Sequence, residues 1–284
     1  MGHRVGKNES AEKALLRLLL EDLHAAVREF RAAGPREERV HRVRQRLKRV
    51  RTILRVLEPA FGERALAMRH ELSETARMLS RARDADVIAE SARELAATTA
   101  DGDDLGLDRV VSTLDEEAAR AHQERTPMGE VSRRLAAALA TISAFDTDFD
   151  GEALMADAVR ETYARGRKAM KRARDSLATP DLHHWRKAVK QLWFLTRLAR
   201  RRLGKRGEKI ADALERLGEV LGKDNDHALL AEKLALSPTG DMSLMAQLSL
   251  IAKRRNALEA EAFALGSKLY RRKPDAFMAA VKLR

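Results

Sequence analysis

Apolar positions along this chain recur at helical spacing almost from end to end. Val40, Val43, Leu47, Val50, Leu54 and Leu57 return every three or four residues, and Leu182, Trp185, Val189 and Leu192 do the same. That period marks one face of an α-helix. Strand-like alternation is nearly absent, and Ala, Leu, Arg, Glu and Lys, all strong helix formers, dominate. The pattern predicts helices over residues 9–32, 38–58, 62–98, 106–125, 128–145, 151–177, 180–202, 205–235, 241–272 and 274–282. Turn chemistry separates them at Ala33-Gly34-Pro35, Asp101-Gly102-Asp103, Thr179-Pro180-Asp181 and Ser237-Pro238-Thr239-Gly240. The expected fold class is all-α.

The polar positions then repeat themselves. Residues 41–55 read HRVRQRLKRVRTILR and residues 183–197 read HHWRKAVKQLWFLTR. Aligned without a gap, His41 falls on His183, Arg44 on Arg186, Lys48 on Lys190 and Arg55 on Arg197, an offset of 142 in a chain of 284 residues. The same offset carries Gly62 onto Gly204, Leu72 onto Leu214, Leu79 onto Leu221, Asp84 onto Asp226 and Ala89 onto Ala231. Such a repeat suggests an internal duplication. It predicts two similar halves, 1–145 and 146–284, each a four-helix bundle within a single domain spanning 1–284, with FDTDFDG at 145–151 as the seam. The halves are expected to pack through the faces that carry the repeated charges.

On a helical projection His41, Arg44, Lys48, Arg51 and Arg55 lie within a band roughly 80° wide that borders the apolar face. Arg42, Arg46 and Arg49 point to the far side. In the second copy His183, Arg186, Lys190 and Arg197 take the same band, and Trp193 stands where Arg51 stood. One such stripe on one helix reads as a solvated face. Its return at the same register beside the core reads instead as a line of donors for an anion with phosphates in a row. Arginine is a forked donor for phosphate oxygens and lysine a mobile point charge.

Composition narrows the partner. Lys and Arg number 55 against 43 Asp and Glu, a formal net charge of +12, which favours nucleic acid, polyphosphate, a phosphorylated metabolite or an acidic membrane. Aromatic residues make up only 4%, too few for the base-stacking platforms of single-strand binders. Nucleic acid is therefore the weaker expectation. There is no cysteine, which excludes disulfides and thiolate metal sites and suits a reducing cytosol. The charged start MGHRVGKNESAEKALLRLLLEDL shows no signal-peptide core, and no stretch is apolar enough to span a membrane.

Other candidates carry less. His41 and His183 sit among cations, which repel a metal ion and lower an imidazole pKa. They read as neutral donors to phosphate or as structural histidines. Asp84 and Asp226, in LSRARDADVI and LGKDNDHALL, read as supporting carboxylates that orient the cations or cap a helix. No third acid completes a metal arrangement and there is no glycine-rich phosphate loop, so neither metal nor cofactor is expected. The run YARGRKAMKRARD at 163–175 is dense in cations. Arg167 and Lys171 from it, with Arg49, are candidate secondary polyanion contacts.

Taken in order, these motifs resemble the CHAD domain, the conserved histidine α-helical domain. The likeness rests on VHRVRQRLKRVRTIL and LHHWRKAVKQLWFLTRL, on LSRARDADVI and LGKDNDHALL, and on the closing GSKLYRRKPDAF at 266–277. It implies two similar helical bundles about a pseudo-twofold that enclose a basic channel. It further implies binding of inorganic polyphosphate without catalysis, in the cytoplasm and often at polyphosphate granules. His41, Arg44, Lys48, Arg51, His183, Arg186 and Lys190 occupy the family's signature positions. Gln191 and Trp193 stand where many members are basic, so the second half is expected to bind more weakly. Ser80 replaces the glycine found at Gly222 and is expected to stiffen that turn. Some members are fused to a triphosphatase domain; none is expected here, because the helical repeat fills the chain. The competing readings are a phosphohydrolase or metal-dependent enzyme using the histidines with Asp84 and Asp226, and a nucleic-acid binder. The sequence carries no signal for the oligomeric state.

Overall fold

The structure, a computed structural model, describes residues 9–29, 32–99, 106–123, 128–236 and 242–281. Every regular element among them is helical: α1 (Ala11–Glu29), α2 (Arg36–Phe61), α3 (Glu63–Arg77), α4 (Arg81–Ala97), α5 (Leu107–Gln123), α6 (Met128–Ser143), α7 (Gly151–Ser176), α8 (Thr179–Leu198), α9 (Arg200–Ala235), α10 (Met242–Leu269) and α11 (Pro274–Val281). The predicted turns at 101–103 and 237–240 lie outside the described residues.

One helix assignment needs correction. The stretch 62–98 is two helices, not one. The chain closes short three-residue loops at 78–80, where Leu79 donates to Ala76 and Ser80 to Arg77 at 3.3 and 3.0 Å. Its counterpart in the second half runs straight through as α9. The expected turn at Gly222 is therefore absent, and it is the Ser80 side that breaks. The stretch 180–235, by contrast, bends at the expected place. Gly204 sits at φ 55°, ψ −154° inside α9, and Gly62 sits at φ 54°, ψ −131° between α2 and α3. Positive φ is a region glycine enters without steric cost, so both copies turn on the same kind of joint at the same offset.

The apolar faces are buried as the periodicity requires. Val43, Leu47, Val50, Leu54 and Leu57 of α2 keep 1% or less of their surface, and Trp185, Val189 and Leu192 of α8 keep none. Each such side chain contributes on the order of 1.5–3 kcal/mol. Trp185 stacks on Phe263 of α10 with ring centroids 5.3 Å apart. The seam is pinned by Phe145 stacked on Phe61 at 4.1 Å, and Asp150 caps α7 by accepting from Glu152 and Ala153 at 3.0 and 2.9 Å.

The cores do not divide at the seam. A large cluster draws on α1, α2, α3 and α6 together with α7, α8, α11 and part of α9 and α10. A smaller one joins Ala89, Ala92 and Leu95 of α4 and Leu107, Leu114 and Ala118 of α5 to Leu230 and Leu234 of α9 and Ile251 of α10. Lys233 of α9 adds an ion pair to Glu117 of α5 at 2.7 Å.

One charged contact orients α2. Asp22 of α1 has no exposed surface. Arg49 donates to it twice, at 2.9 and 2.8 Å, and Arg46 once, at 3.2 Å. Arg42 donates to Glu29 at 2.8 Å. Burial opposes ionisation of Glu29, yet the Arg42 and Arg46 guanidiniums hold its carboxyl below the ordinary value. The pairs run 22 with 49 and 29 with 42, so α1 and α2 are antiparallel. Removing one partner of a buried pair strands the other charge. We expect Asp22→Ala to destabilise the fold by about 3–5 kcal/mol, measured by urea unfolding; a loss below about 1 kcal/mol would show that Arg46 and Arg49 find water instead.

Candidate functional site

With Arg42, Arg46 and Arg49 held by α1, the other polar side of α2 carries Arg44, Lys48, Arg51 and Arg55. α8 packs near this side and brings Arg186 and Lys190 to Lys48. The Lys48 amine is pushed down to about 8, first by lost hydration and then by Arg44, Lys190, Arg186 and Arg51. Two of those cations come from the other half of the chain. Lys190 is lowered in turn by lost hydration and by Arg186, against a partial restoring pull from Asp226 and Glu219. Both lysines nevertheless expose their side chains. Each amine is open to water yet crowded by protein, and cations of the two stripes stand close enough to act on one another.

The arginines record the same crowding. Arg44 is lowered by desolvation and Arg83, with Asp84 opposing, and Arg51 by desolvation, Arg69 and Arg77. Arg55 is lowered by desolvation, Arg165 and Arg69. Arginine keeps its charge regardless, so here the shift is a free-energy cost of holding like charges together. The Nε atoms of Arg51, Arg69, Arg165 and Arg186 are buried and without a hydrogen-bond partner. The field thus runs from Arg165 and Arg55 through Arg51 and Lys48 to Arg186, Lys190, Arg44 and Arg83.

The two repeated carboxylates each lie near a cation of the stripes. Asp84 stands 3.7 Å from Arg44, and Asp226 acts on Arg186 to favour its charge. The histidines are held below the ordinary imidazole value, chiefly by desolvation. His41 pairs with Gln45 at 2.9 Å. His183 Nδ1 meets Asn225 Oδ1 at 2.5 Å, and the Asn225 amide in turn donates to Asp226. That chain ties the His183 ring to α9 through Asn225 and Asp226.

Three of the remaining candidates have partners of their own. Arg197 lies over the Trp193 ring at 4.9 Å and 4.0 Å from Glu215. Arg49 is bound to Asp22. Arg167 donates to the Tyr270 carbonyl at 3.3 Å; with Lys171 it occupies a different face of α7 from Arg165, two residues being about 200° of helix. Arg69, Arg83 and Arg165, which no repeat flagged, extend the field of cations. Their counterparts at the common offset are Ala211 for Arg69, Asn225 for Arg83 and Leu23 for Arg165, so the repeat could not reveal them. Arg83 was within reach of a closer reading, since it adjoins Asp84 in the repeated motif.

Arg186 and Lys190 also line a cavity of about 280 Å³. Arg83 and Lys223 line it too, but so do Glu90, Glu94, Glu219 and Asp226, with His227. Among the described residues no group of three or more His, Asp or Glu side chains could hold a metal ion, and no helix is long and apolar enough to cross a membrane.

The CHAD domain family matches residues 14–235. The chain belongs to the CHAD family. Among solved structures it is similar to the CHAD domain from the plant Ricinus communis, at 20% identity and a TM-score of 0.56, covering 96% of this chain and 91% of that one. At that identity the likeness speaks for the CHAD fold alone. No curated protein matches.

Lys48 gives this site a signature without any ligand. Below pH 8 the folded protein carries its full unfavourable charge. Between pH 8 and the ordinary lysine value of 10.5 the folded state releases that proton before the unfolded state does, so this group makes stability rise with pH. We expect Lys48→Met to unfold at a higher temperature than the wild type at pH 7, with the difference shrinking toward pH 10. A Lys48→Met protein less stable than wild type at pH 7 would show that the amine is not under electrostatic strain.

Proposed function

We propose that this CHAD protein binds inorganic polyphosphate along the groove between α2 and α8 and does not act on it chemically. The observation that carries the reading is the setting of Lys48, whose amine is pushed down to about 8 first by lost hydration and then by the like charges of Arg44, Lys190, Arg186 and Arg51 around it. A protein pays such a cost where a counter-charge is to arrive. A chain of phosphates supplies it at regular spacing, with oxygens that arginine can take in pairs. The exposed but under-hydrated lysines suit a ligand that enters from solvent and replaces water. The scarcity of aromatic rings favours a backbone-only polyanion over single-stranded nucleic acid.

Affinity then depends on the groove cations and not on basic charge in general. Removing a charge-assisted hydrogen bond costs about 1.5–3 kcal/mol, so Arg186→Ala should weaken binding of long polyphosphate roughly ten- to hundredfold. Arg197→Ala, which removes a side chain already engaged by Trp193 and Glu215, should change it less than about threefold. With six cations engaged, the log–log salt slope should be roughly −4 to −5 by analogy with nucleic acids. Polyphosphate bound beside Lys48 raises its pKa. Binding should therefore take up protons near pH 8 and weaken as pH rises through that value, which titration calorimetry in two buffers of different ionisation enthalpy reads directly. Equal losses in the Arg186 and Arg197 variants, or displacement by nucleic acid at equal phosphate concentration, would sink the assignment. Phosphate release that His41→Ala abolishes would instead move the protein to the hydrolases.

A further inference from the structure

The groove is not the same at its two ends. Around Arg55 the neighbours are Arg51, Arg69 and Arg165, with Glu58 the opposing charge. At the other end the cavity is lined by Arg83, Arg186, Lys190 and Lys223 together with Glu90, Glu94, Glu219 and Asp226, and Arg83 already stands 3.9 Å from Glu90. The repeat shows where the difference lies: Glu219 stands at the position of Arg77 and Trp193 at that of Arg51. A phosphate chain that entered this cavity and continued would run along carboxylates. The cavity is also small. At about 280 Å³ it falls just under the ~300 Å³ at which pockets for drug-sized ligands begin, and so holds a group or two and not a length of polymer. Two donors at its edge are unmatched: the Arg186 Nε and the His227 Nδ1 are buried with no hydrogen-bond partner.

We propose that this cavity takes the terminal phosphate of the chain, so that the protein binds polyphosphate by its end. The inference rests on the polyphosphate reading above. An internal phosphate of a linear chain has no proton to donate near neutral pH. A terminal phosphate has a second ionisation near pH ~6, as in phosphomonoesters, and in its monoprotonated form carries one P–OH. Only the terminal group can therefore give its oxygens to Arg186 and Lys190 and its proton to one of the carboxylates that line the same cavity. The same carboxylates repel internal phosphates and stop the polymer from sliding through. The cationic end of the groove then holds the units that follow.

The test compares linear polyphosphate of one length with the same polymer capped at both ends as bulky neutral phosphoramidates. The chains should be long enough that losing the terminal charges changes the total little. The uncapped chain is expected to bind about tenfold or more tightly. A Glu90→Gln, Glu94→Gln double variant should narrow that ratio, chiefly by improving binding of the capped chain. Equal affinity of capped and uncapped chains overturns end binding while leaving the groove reading intact. A ratio that survives unchanged in the double variant overturns the role given to the carboxylates. Failure of both polymers to bind overturns the polyphosphate reading itself, and end binding with it.

Discussion

Asp22 determines which side of α2 stays charged. The helix is basic around most of its circumference, and in isolation none of its polar faces would be distinguished from another. A buried carboxylate on α1 takes Arg46 and Arg49, and Glu29 takes Arg42. What remains uncompensated is the band bordering the core on the opposite flank. Ion pairs on one side and repulsion on the other are two parts of one design. The neutralised flank fastens the helix, and the fastening lets the other flank carry charges that would otherwise push the helix away. The second half has no counterpart, since Ala164 stands at the position of Asp22. There α8 is held by apolar packing around Trp185 and by the His183–Asn225–Asp226 chain.

The two halves have therefore solved the same problem with different chemistry, and the groove inherits the difference. On the α2 side the cations come in a row along one helix and are joined by arginines from α3 and α7. On the α8 side only Arg186 and Lys190 reach the centre, while Arg197 turns to Glu215 and Trp193. Those two contribute more than their number suggests, because they sit beside Lys48. A count of charges in the second half therefore leaves out where they stand, beside Lys48.

Much of this was legible before any coordinates. Helical period placed Val43, Leu47 and Val50 inside and Arg44 and Lys48 at the edge, because a 3.6-residue repeat fixes the face of each side chain. Gly62 and Gly204 marked the joints because positive φ leaves few alternatives to glycine. Three things were not legible. The break at 78–80 depends on how α3 and α4 pack, and Ser80 is no stronger a breaker than its neighbours. Arg69 and Arg165 reach the groove from other helices, which no pattern within one helix reports. The contact of His183 with Asn225 joins residues forty-two apart, and no spacing within one helix announces it.

The shared cores have a bearing on how the chain comes to be folded at all. The α4–α5 hairpin is complete in the nascent chain long before α9 and α10 are made, and Ala89, Ala92 and Leu95 are buried together with Leu230, Leu234 and Ile251. During synthesis that apolar surface has to wait for partners from the other end of the polypeptide. Waiting surfaces of this kind are where chaperones bind and where aggregation begins. The repeat is thus a unit of sequence without being a unit of folding, and a chain cut at the seam would leave two fragments that each lack part of their interior.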